Sequence, residues 1–327
     1  MKAVICSGYG KPEVLQIKEL DVPRIGDDDL LVKNVAASVT KADVMMRQGT
    51  PFYARIFLGL TKPRHPVPGT GFAGIVESVG KNVTSFKPGD EVFGETGVDF
   101  GGYAEYVRVS RHGVITHKPE NLSFEDAATI CDGPLTSYSF LRDVGKLKKG
   151  QHVLVNGASG SLGSAAVQLA KIMGSNVTGV CSTKNVSLVQ SLGADQVIDY
   201  THEDFTEGMR KYDLIFDSIG KSSFSHCRSV LKENGTYMSP VLKMSLVFQM
   251  IRTGLIGRQA AKFSATGMRP AHELNPLLSD LVRFSQLGKI KIITDKIYSL
   301  DDIVEAHKYV EAGHKVGNVV LKLNNVN

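Results

Sequence analysis

Between Val153 and Lys171 the chain passes from an unbroken apolar triplet, Val153-Leu154-Val155, through small residues into a segment with apolar positions at Ala166, Val167, Leu169 and Ala170. A short apolar run bounded by glycine predicts a buried strand, and the later spacing predicts a helix. The alternation then repeats. Asn176–Cys181, Asp195–Asp199, Tyr212–Asp217 and Gly235–Ser239 read as strands. Val186–Leu192, a polar segment ahead of Tyr212, and Phe224–Leu231 read as helices between them. Strands alternating with helices at this spacing predict a parallel sheet wound on both faces. Right-handed crossovers would align the strand carboxyl ends along one edge, where a ligand sits.

The turn between the first strand and helix carries Gly157, Gly160 and Gly163, and six of its seven residues from Gly157 to Gly163 are Gly, Ala or Ser. Small residues let main-chain N–H groups approach a pyrophosphate, and the helix amino terminus adds partial positive charge. A glycine triplet alone is weak evidence, because a turn packed closely for steric reasons also shows it. The repeating strands and helices around it point to a dinucleotide site. After the second strand come Ser182-Thr183-Lys184, with no acid before Asp195. Selectivity for the unphosphorylated coenzyme usually needs an acid there, whereas a hydroxyl and an ammonium suit a 2′-phosphate. Lys184 as a solvated cation is the plainer alternative.

The amino-terminal region has another texture. Leu30–Val35, Gly74–Val79 and Tyr103–Val107 are short strands, separated by turn signals such as Gly26-Asp27, Lys87-Pro88-Gly89-Asp90 and Phe100-Gly101-Gly102. They predict a mostly antiparallel β domain. Ser123-Phe124-Glu125-Asp126 reads as a capping sequence opening a helix, which puts the boundary at 122/123. The 327 residues, 42% hydrophobic and 22% charged, leave room for two domains. A net charge of +5 is modest, and the basic cluster Lys146, Lys148 and Lys149 reads as a solvated loop, so no nucleic-acid partner is expected. Four scattered cysteines, Cys6, Cys131, Cys181 and Cys227, form no CxxC pair and predict neither disulfides nor structural zinc. Val241–Gly257 is too short to span a membrane and contains Lys243 and Arg252. It reads as an amphipathic helix covering a pocket or subunit surface. With no signal core at the start, a cytoplasmic location without a membrane partner is expected.

Motifs along the whole length resemble the medium-chain dehydrogenase/reductase superfamily, in its zinc-free quinone oxidoreductase branch. They include Ala36–Gly49 (AASVTKADVMMRQG), Pro68–Gly74 (PGTGFAG), Lys87–Gly94 (KPGDEVFG) and Gly101–Val107 (GGYAEYV). Asn156–Gly163 (NGASGSLG), Leu192–Tyr200 (LGADQVIDY) and Gly313–Leu321 (GHKVGNVVL) continue the match. The resemblance implies an α/β fold: a GroES-like, mostly antiparallel β domain from 1–122 and 269–327, with a Rossmann domain at 123–268 between them. It places the active site in the cleft between the domains and implies a homodimer. By the family pattern NADP(H) would meet Ser182, Lys184 and Tyr200 at the 2′-phosphate. Gly157 and the run Ser159, Gly160, Ser161, Leu162 and Gly163 would carry the pyrophosphate. Ser218, Ile219 and Ser239 would line the nicotinamide side, with Thr136 and Asn318 completing that wall. Tyr200 has a competing role as packing at a strand end.

Position also tests zinc. Where the zinc-dependent branch has its catalytic ligands, matching motifs place Thr40, Thr70 and Asp132. Two hydroxyls and one carboxylate suit Zn²⁺ poorly, because it favours thiolate and imidazole; no metal is expected. Hydride delivered to a simple ketone leaves an alkoxide, which needs a Lewis acid or strong proton donor. Delivered to a quinone or α,β-unsaturated carbonyl it leaves a delocalised phenolate or enolate, which hydrogen bonds and water can manage. NADPH-dependent reduction of such an acceptor is therefore expected. Thr40 could hydrogen-bond the acceptor oxygen or simply cap the helix starting at Lys41. Tyr53 could donate a proton or pack within its apolar loop. Gly71 stands where many relatives have an acid. Three alternatives remain: a zinc-free alcohol dehydrogenase, a 2-enoyl thioester reductase, and an NADPH-binding structural or regulatory protein.

Overall fold

The computed structural model describes residues 1–324; the last three residues of the expected carboxy-terminal domain segment, 325–327, lie outside the described residues. In chain order the first strands are β1 (Lys2–Cys6), β2 (Leu15–Glu19), β3 (Asp29–Val39), β4 (Gly71–Val79), β5 (Glu91–Glu95), β6 (Tyr106–Ser110) and β7 (Val114–His117). Then come β8 (His152–Asn156), β9 (Asn176–Cys181), β10 (Gln196–Asp199), β11 (Tyr212–Asp217), β12 (Leu231–Ser239), β13 (Ala260–Phe263), β14 (Thr294–Ser299) and β15 (Asn318–Lys322). The helices are α1 (Lys41–Gln48), α2 (Arg55–Leu58), α3 (Phe124–Ala127), α4 (Gly133–Ser139) and α5 (Ser161–Ile172). They continue with α6 (Val186–Ser191), α7 (Phe224–Cys227), α8 (Met244–Ile256), α9 (Ala271–Gln286) and α10 (Ile303–Ala312).

The chain divides into two compact units. One holds Met1–Asp132, Gly267–Gln286 and the chain from Ile292 onward; the other holds Gly133–Thr266 and Leu287–Lys291. In the first unit β14-β15-β3-β4-β5-β7 lie side by side, with β6 also pairing β3. Every ladder here is antiparallel except β14–β15. One core packs Val4, Val39, Val44 and Tyr103 against Ile303 and Val310 of α10, and another gathers Leu30, Val32, Phe72, Val92 and Val107. β6 alternates buried and exposed positions, as an antiparallel strand solvated on one side does, whereas β3 is buried on both faces along most of its length.

In the second unit all six strands are parallel, in the order β10-β9-β8-β11-β12-β13. The winding direction reverses between β8 and β11, and in open α/β sheets ligands bind at the carboxyl ends flanking such a reversal. Central strands covered on both faces read as apolar runs, which is why Val153, Leu154, Val155, Ile215 and Phe216 are fully buried.

Three local expectations are corrected. The polar segment ahead of Tyr212 is not helical: residues 200–211 form turns. Thr201 N–H donates to Asp199 Oδ1 and Thr206 N–H to Asp204 Oδ1, so each aspartate holds its own backbone in a turn that competes with helix. The Phe224–Leu231 helix stops at Cys227 and continues as a tighter turn, Arg228–Val230. The strand expected from Tyr103 begins at Tyr106, with Ala104 making only an isolated bridge to Ala3. No described helix is long and apolar enough to cross a membrane.

Candidate functional site

The turn after β8 is shaped by steric need. Gly157 has φ +80°, and a Cβ there would run into Ile219 and Ser218 from the end of β11. At Gly163 a Cβ would lie well inside 3.0 Å of the Gly157 carbonyl oxygen, so that glycine lets α5 pack against the turn. Gly160 differs. Its nearest neighbour would be 3.5 Å from a Cβ, so packing does not demand glycine there. It is the N-cap of α5 and supplies no capping side chain, which lets an anion meet the first-turn N–H groups. The turn therefore fits a pyrophosphate.

The ends of β8 and β11 are tied together. Asn156 Nδ2 donates to Asp217 Oδ1 at 2.9 Å, and Asp217 Oδ2 accepts from Ser222 N–H at 2.8 Å and from the Tyr237 hydroxyl at 2.8 Å. Asp217 is fully buried, and these bonds satisfy its charge and fix the 218–222 loop. Within that loop Ser218 Oγ donates to the Asn156 carbonyl at 2.7 Å, while Ile219 remains half-exposed. Ser239, at the end of β12, donates to the Asp217 carbonyl at 2.9 Å. Thr136 lies half-buried on α4, whose Gly133 packs closely on Ser161, and Ser137 Oγ donates to the Leu162 carbonyl. Ser159, Ser218, Ile219 and Ser239 thus come from neighbouring strand ends of one sheet edge.

Ser182 and Lys184 follow β9. Lys184 is exposed and makes no ion pair among the described residues. Asn185, which the sequence reading missed, donates from Nδ2 to Ser159 Oγ at 3.0 Å and Ser182 Oγ at 3.3 Å. It joins the glycine turn to the second strand's end; an amide three residues past the serine was the only signal. Tyr200 is 57% exposed, so it is not strand-end packing. Asp199 pairs with Cys181 across β9–β10. Hydrogen bonds from the Thr183 and Thr201 hydroxyls hold its carboxyl at about 2.

The remaining named residues belong to the other unit. Thr40 is the N-cap of α1 in a capping box with Asp43. Its hydroxyl accepts from Asp43 N–H at 3.1 Å and donates to Asp43 Oδ2 at 2.6 Å. Burial pushes the Asp43 carboxyl up to about 6, opposed by the Thr40 hydrogen bonds and reinforced by the charge of Asp132. Tyr53 stands in a short turn before α2 and is 39% exposed. Asn318 opens β15 and donates from Nδ2 to the Ile293 carbonyl at 3.0 Å. Asp132 is half-buried, and its charge acts on Glu95, Tyr103 and Lys315. Among the described residues no group of three His, Cys, Asp or Glu side chains has the arrangement to hold a metal ion.

Two family matches cover most of the chain: an alcohol dehydrogenase GroES-like domain over residues 26–120 and a zinc-binding dehydrogenase domain over 192–321. The 2-methylene-furan-3-one reductase of Solanum lycopersicum is 34% identical over 334 residues, spanning 98% of this chain and 79% of that relative. The chain belongs to the medium-chain dehydrogenase/reductase superfamily, in its quinone oxidoreductase-like branch. A chloroplastic NADPH-dependent alkenal/one oxidoreductase of Arabidopsis thaliana is 32% identical over 98% of this chain and 79% of its own length. The solved quinone oxidoreductase of Coxiella burnetii superposes with a TM-score of 0.88 at 30% identity, covering 99% of both chains. This medium-chain dehydrogenase/reductase is thus an oxidoreductase of the quinone and alkenal/one type, and the class works with a nicotinamide cofactor. The parallel unit is its Rossmann-like half and the antiparallel unit its GroES-like half.

Proposed function

We propose that this enzyme reduces a quinone or an α,β-unsaturated carbonyl with NADPH, by direct hydride transfer and without zinc. The observation that carries the reading is the donor set at the three positions that bind catalytic zinc elsewhere in the superfamily. Thr40, Thr70 and Asp132 stand there, and the Thr40 hydroxyl proton is already committed to Asp43. Such donors hold Zn²⁺ poorly, so the developing charge must be one that hydrogen bonds and water can absorb. A conjugated acceptor meets that condition. The names of the tomato and Arabidopsis relatives support the enone class, and that of the Coxiella structure the quinone class.

For the coenzyme, the exposed and unpaired Lys184 beside Ser182 supports NADPH over NADH. When bound, the coenzyme supplies hydride from its nicotinamide C4. The chain's own part is to hold the pyrophosphate on Gly157 and on Ser159, Gly160, Ser161, Leu162 and Gly163. Ser218, Ile219, Ser239, Thr136 and Asn318 orient the nicotinamide. Thr40 serves the acceptor oxygen once Asp43 carries a proton, because the threonine hydrogen is then released. Tyr53 is the other donor we assign to the acceptor side.

The test follows loss of reduced-nicotinamide absorbance with a small quinone, an enone and a simple aldehyde, each with and without a metal chelator. Turnover of the quinone or enone that ignores the chelator is expected. Reaction with the aldehyde alone, or dependence on added zinc, would overturn the proposal.

A further inference from the structure

Helix α8 is apolar on both sides. Its inner face, through buried Leu246 and half-buried Met250, packs on the core formed by Leu154, Tyr212, Ile215 and Tyr237. Its outer face repeats the pattern at helical spacing: Met244, Phe248, Ile251 and Leu255 are each between 60% and 77% exposed. A helix apolar all round is ordinarily covered on all sides. Charge indicates what covers this one. From Asn234 to His272 the chain contains no Asp or Glu, while Lys243, Arg252, Arg258, Lys262 and Arg269 all lie within it. Arg258 and Arg269 are paired with Glu233 and Glu273 from outside the stretch. Lys243, at the N-cap, and Arg252, on the rim of the stripe, are exposed and make no ion pair among the described residues.

A second segment, on the other unit, repeats the composition independently. Phe52, Ile56, Phe57 and Leu60 are each more than 60% exposed, and no acid occurs from Val44 to Val76. Arg55 there donates only to the carbonyls of Gly49 and Gln48, and Lys62 and Arg64 make no ion pair among the described residues.

We propose that the outer face of α8 docks on an anionic phospholipid surface, with Phe248, Ile251 and Leu255 entering the acyl boundary and Lys243 and Arg252 meeting headgroup phosphates. Exposed long apolar side chains beside unneutralised cations are the composition of helices that lie in a membrane interface. A second copy of the chain would bring the same unpaired cations face to face, which opposes self-pairing through this surface. Such docking runs against the expectation of no membrane partner, and it needs no spanning helix. It is also independent of which acceptor is reduced.

The full-length protein, with NADPH present, is sedimented with vesicles of equimolar phosphatidylcholine and phosphatidylglycerol, and with pure phosphatidylcholine vesicles. Binding to the anionic vesicles is expected, about tenfold or more weaker on the neutral ones and lost in ~1 M salt, where screening acts within ~3 Å. The combined variant Phe248→Gln, Ile251→Gln, Leu255→Gln is expected to lose about tenfold or more in binding while melting cooperatively. Arg252→Glu, which leaves the apolar stripe intact, is expected to weaken it severalfold, and it decides the question if the combined variant does not fold. No sedimentation with anionic vesicles, or equal binding by the folded variants, overturns the proposal. So does a change of oligomeric state in the combined variant, by light scattering, because that assigns the face to a second copy.

Discussion

Glu95 faces Gly71 across the β4–β5 ladder. Directly paired residues of an antiparallel ladder project from the same face, so the carboxyl missing at Gly71 is present one strand away. Gly71 itself has no room for a side chain: a Cβ there would collide with Ser38 Oγ and the Ala128 carbonyl oxygen. Glycine at this position lets the end of α3 lie against the sheet. Burial, with the nearby charge of Asp132, pushes the Glu95 carboxyl up to about 7.

The raised Glu95 carboxyl fixes the direction of a pH effect on stability. An unfolded glutamate titrates near ~4.3, so between that value and about 7 the folded protein holds a proton that the unfolded chain has lost. Stability supplied by this group is therefore present at low pH and lost as pH rises through 7. Asp43, raised to about 6, acts in the same direction. Denaturant unfolding at pH 5 and pH 8 should show Glu95→Gln recovering about 2 kcal/mol relative to wild type at the higher pH. An identical pH dependence in both proteins would show that Glu95 is not proton-coupled to folding.

Gly160 and Gly163 should separate binding from folding. Gly163→Ala forces a methyl into the Gly157 carbonyl and should cost about 1–3 kcal/mol or more of stability. Gly160→Ala meets nothing closer than 3.5 Å, so the fold should lose at most about 1 kcal/mol, the difference between glycine and alanine at an N-cap. Its methyl would, however, occupy the approach of an anion to α5. Calorimetric titration should show NADPH affinity reduced about tenfold or more in Gly160→Ala, or ~1.4 kcal/mol. Wild-type affinity in that variant would move the pyrophosphate elsewhere.

Lys184 should distinguish the two coenzymes. A charge-assisted hydrogen bond to phosphate is worth about 1.5–3 kcal/mol, so Lys184→Ala should raise the Kd for NADPH about tenfold or more. The Kd for NADH should change less than about twofold, because its ribose offers no phosphate to this exposed ammonium. Calorimetric titration with both coenzymes gives the comparison. Equal weakening of both would withdraw the 2′-phosphate assignment.

Much of the parallel unit was legible because buried central strands leave apolar runs: Asn176–Cys181 and Tyr212–Asp217 stand where the pattern placed them. β12 begins earlier than expected, at Leu231, because Lys232, Glu233 and Asn234 are polar residues at its edge. The turns at 200–211 escaped because aspartate side chains decided the backbone locally. In the candidate site, the glycine turn and the place of Lys184 just after β9 could be read from local spacing. Glu95 opposite Gly71 could not, since it depends on register between strands 24 residues apart in sequence. Asp217 was visible only as a polar end to an apolar strand, and its three partners come from three other places in the chain.

Thr40 has two roles that one pair of variants can separate. As the N-cap of α1 its hydroxyl satisfies Asp43 N–H, and Thr40→Ala should cost about 1 kcal/mol of stability that Thr40→Ser largely restores. Above pH 6 the Asp43 carboxylate holds the Thr40 hydroxyl in a hydrogen bond with 2.6 Å between the oxygens, leaving little for an acceptor. Below pH 6 the protonated carboxyl releases it. Wild-type turnover of the best acceptor should therefore exceed that of Thr40→Ala by a larger factor at pH 5 than at pH 8, with Thr40→Ser following wild type. A ratio that is flat across this range, alongside the expected loss of stability, would leave Thr40 as a helix cap and nothing more.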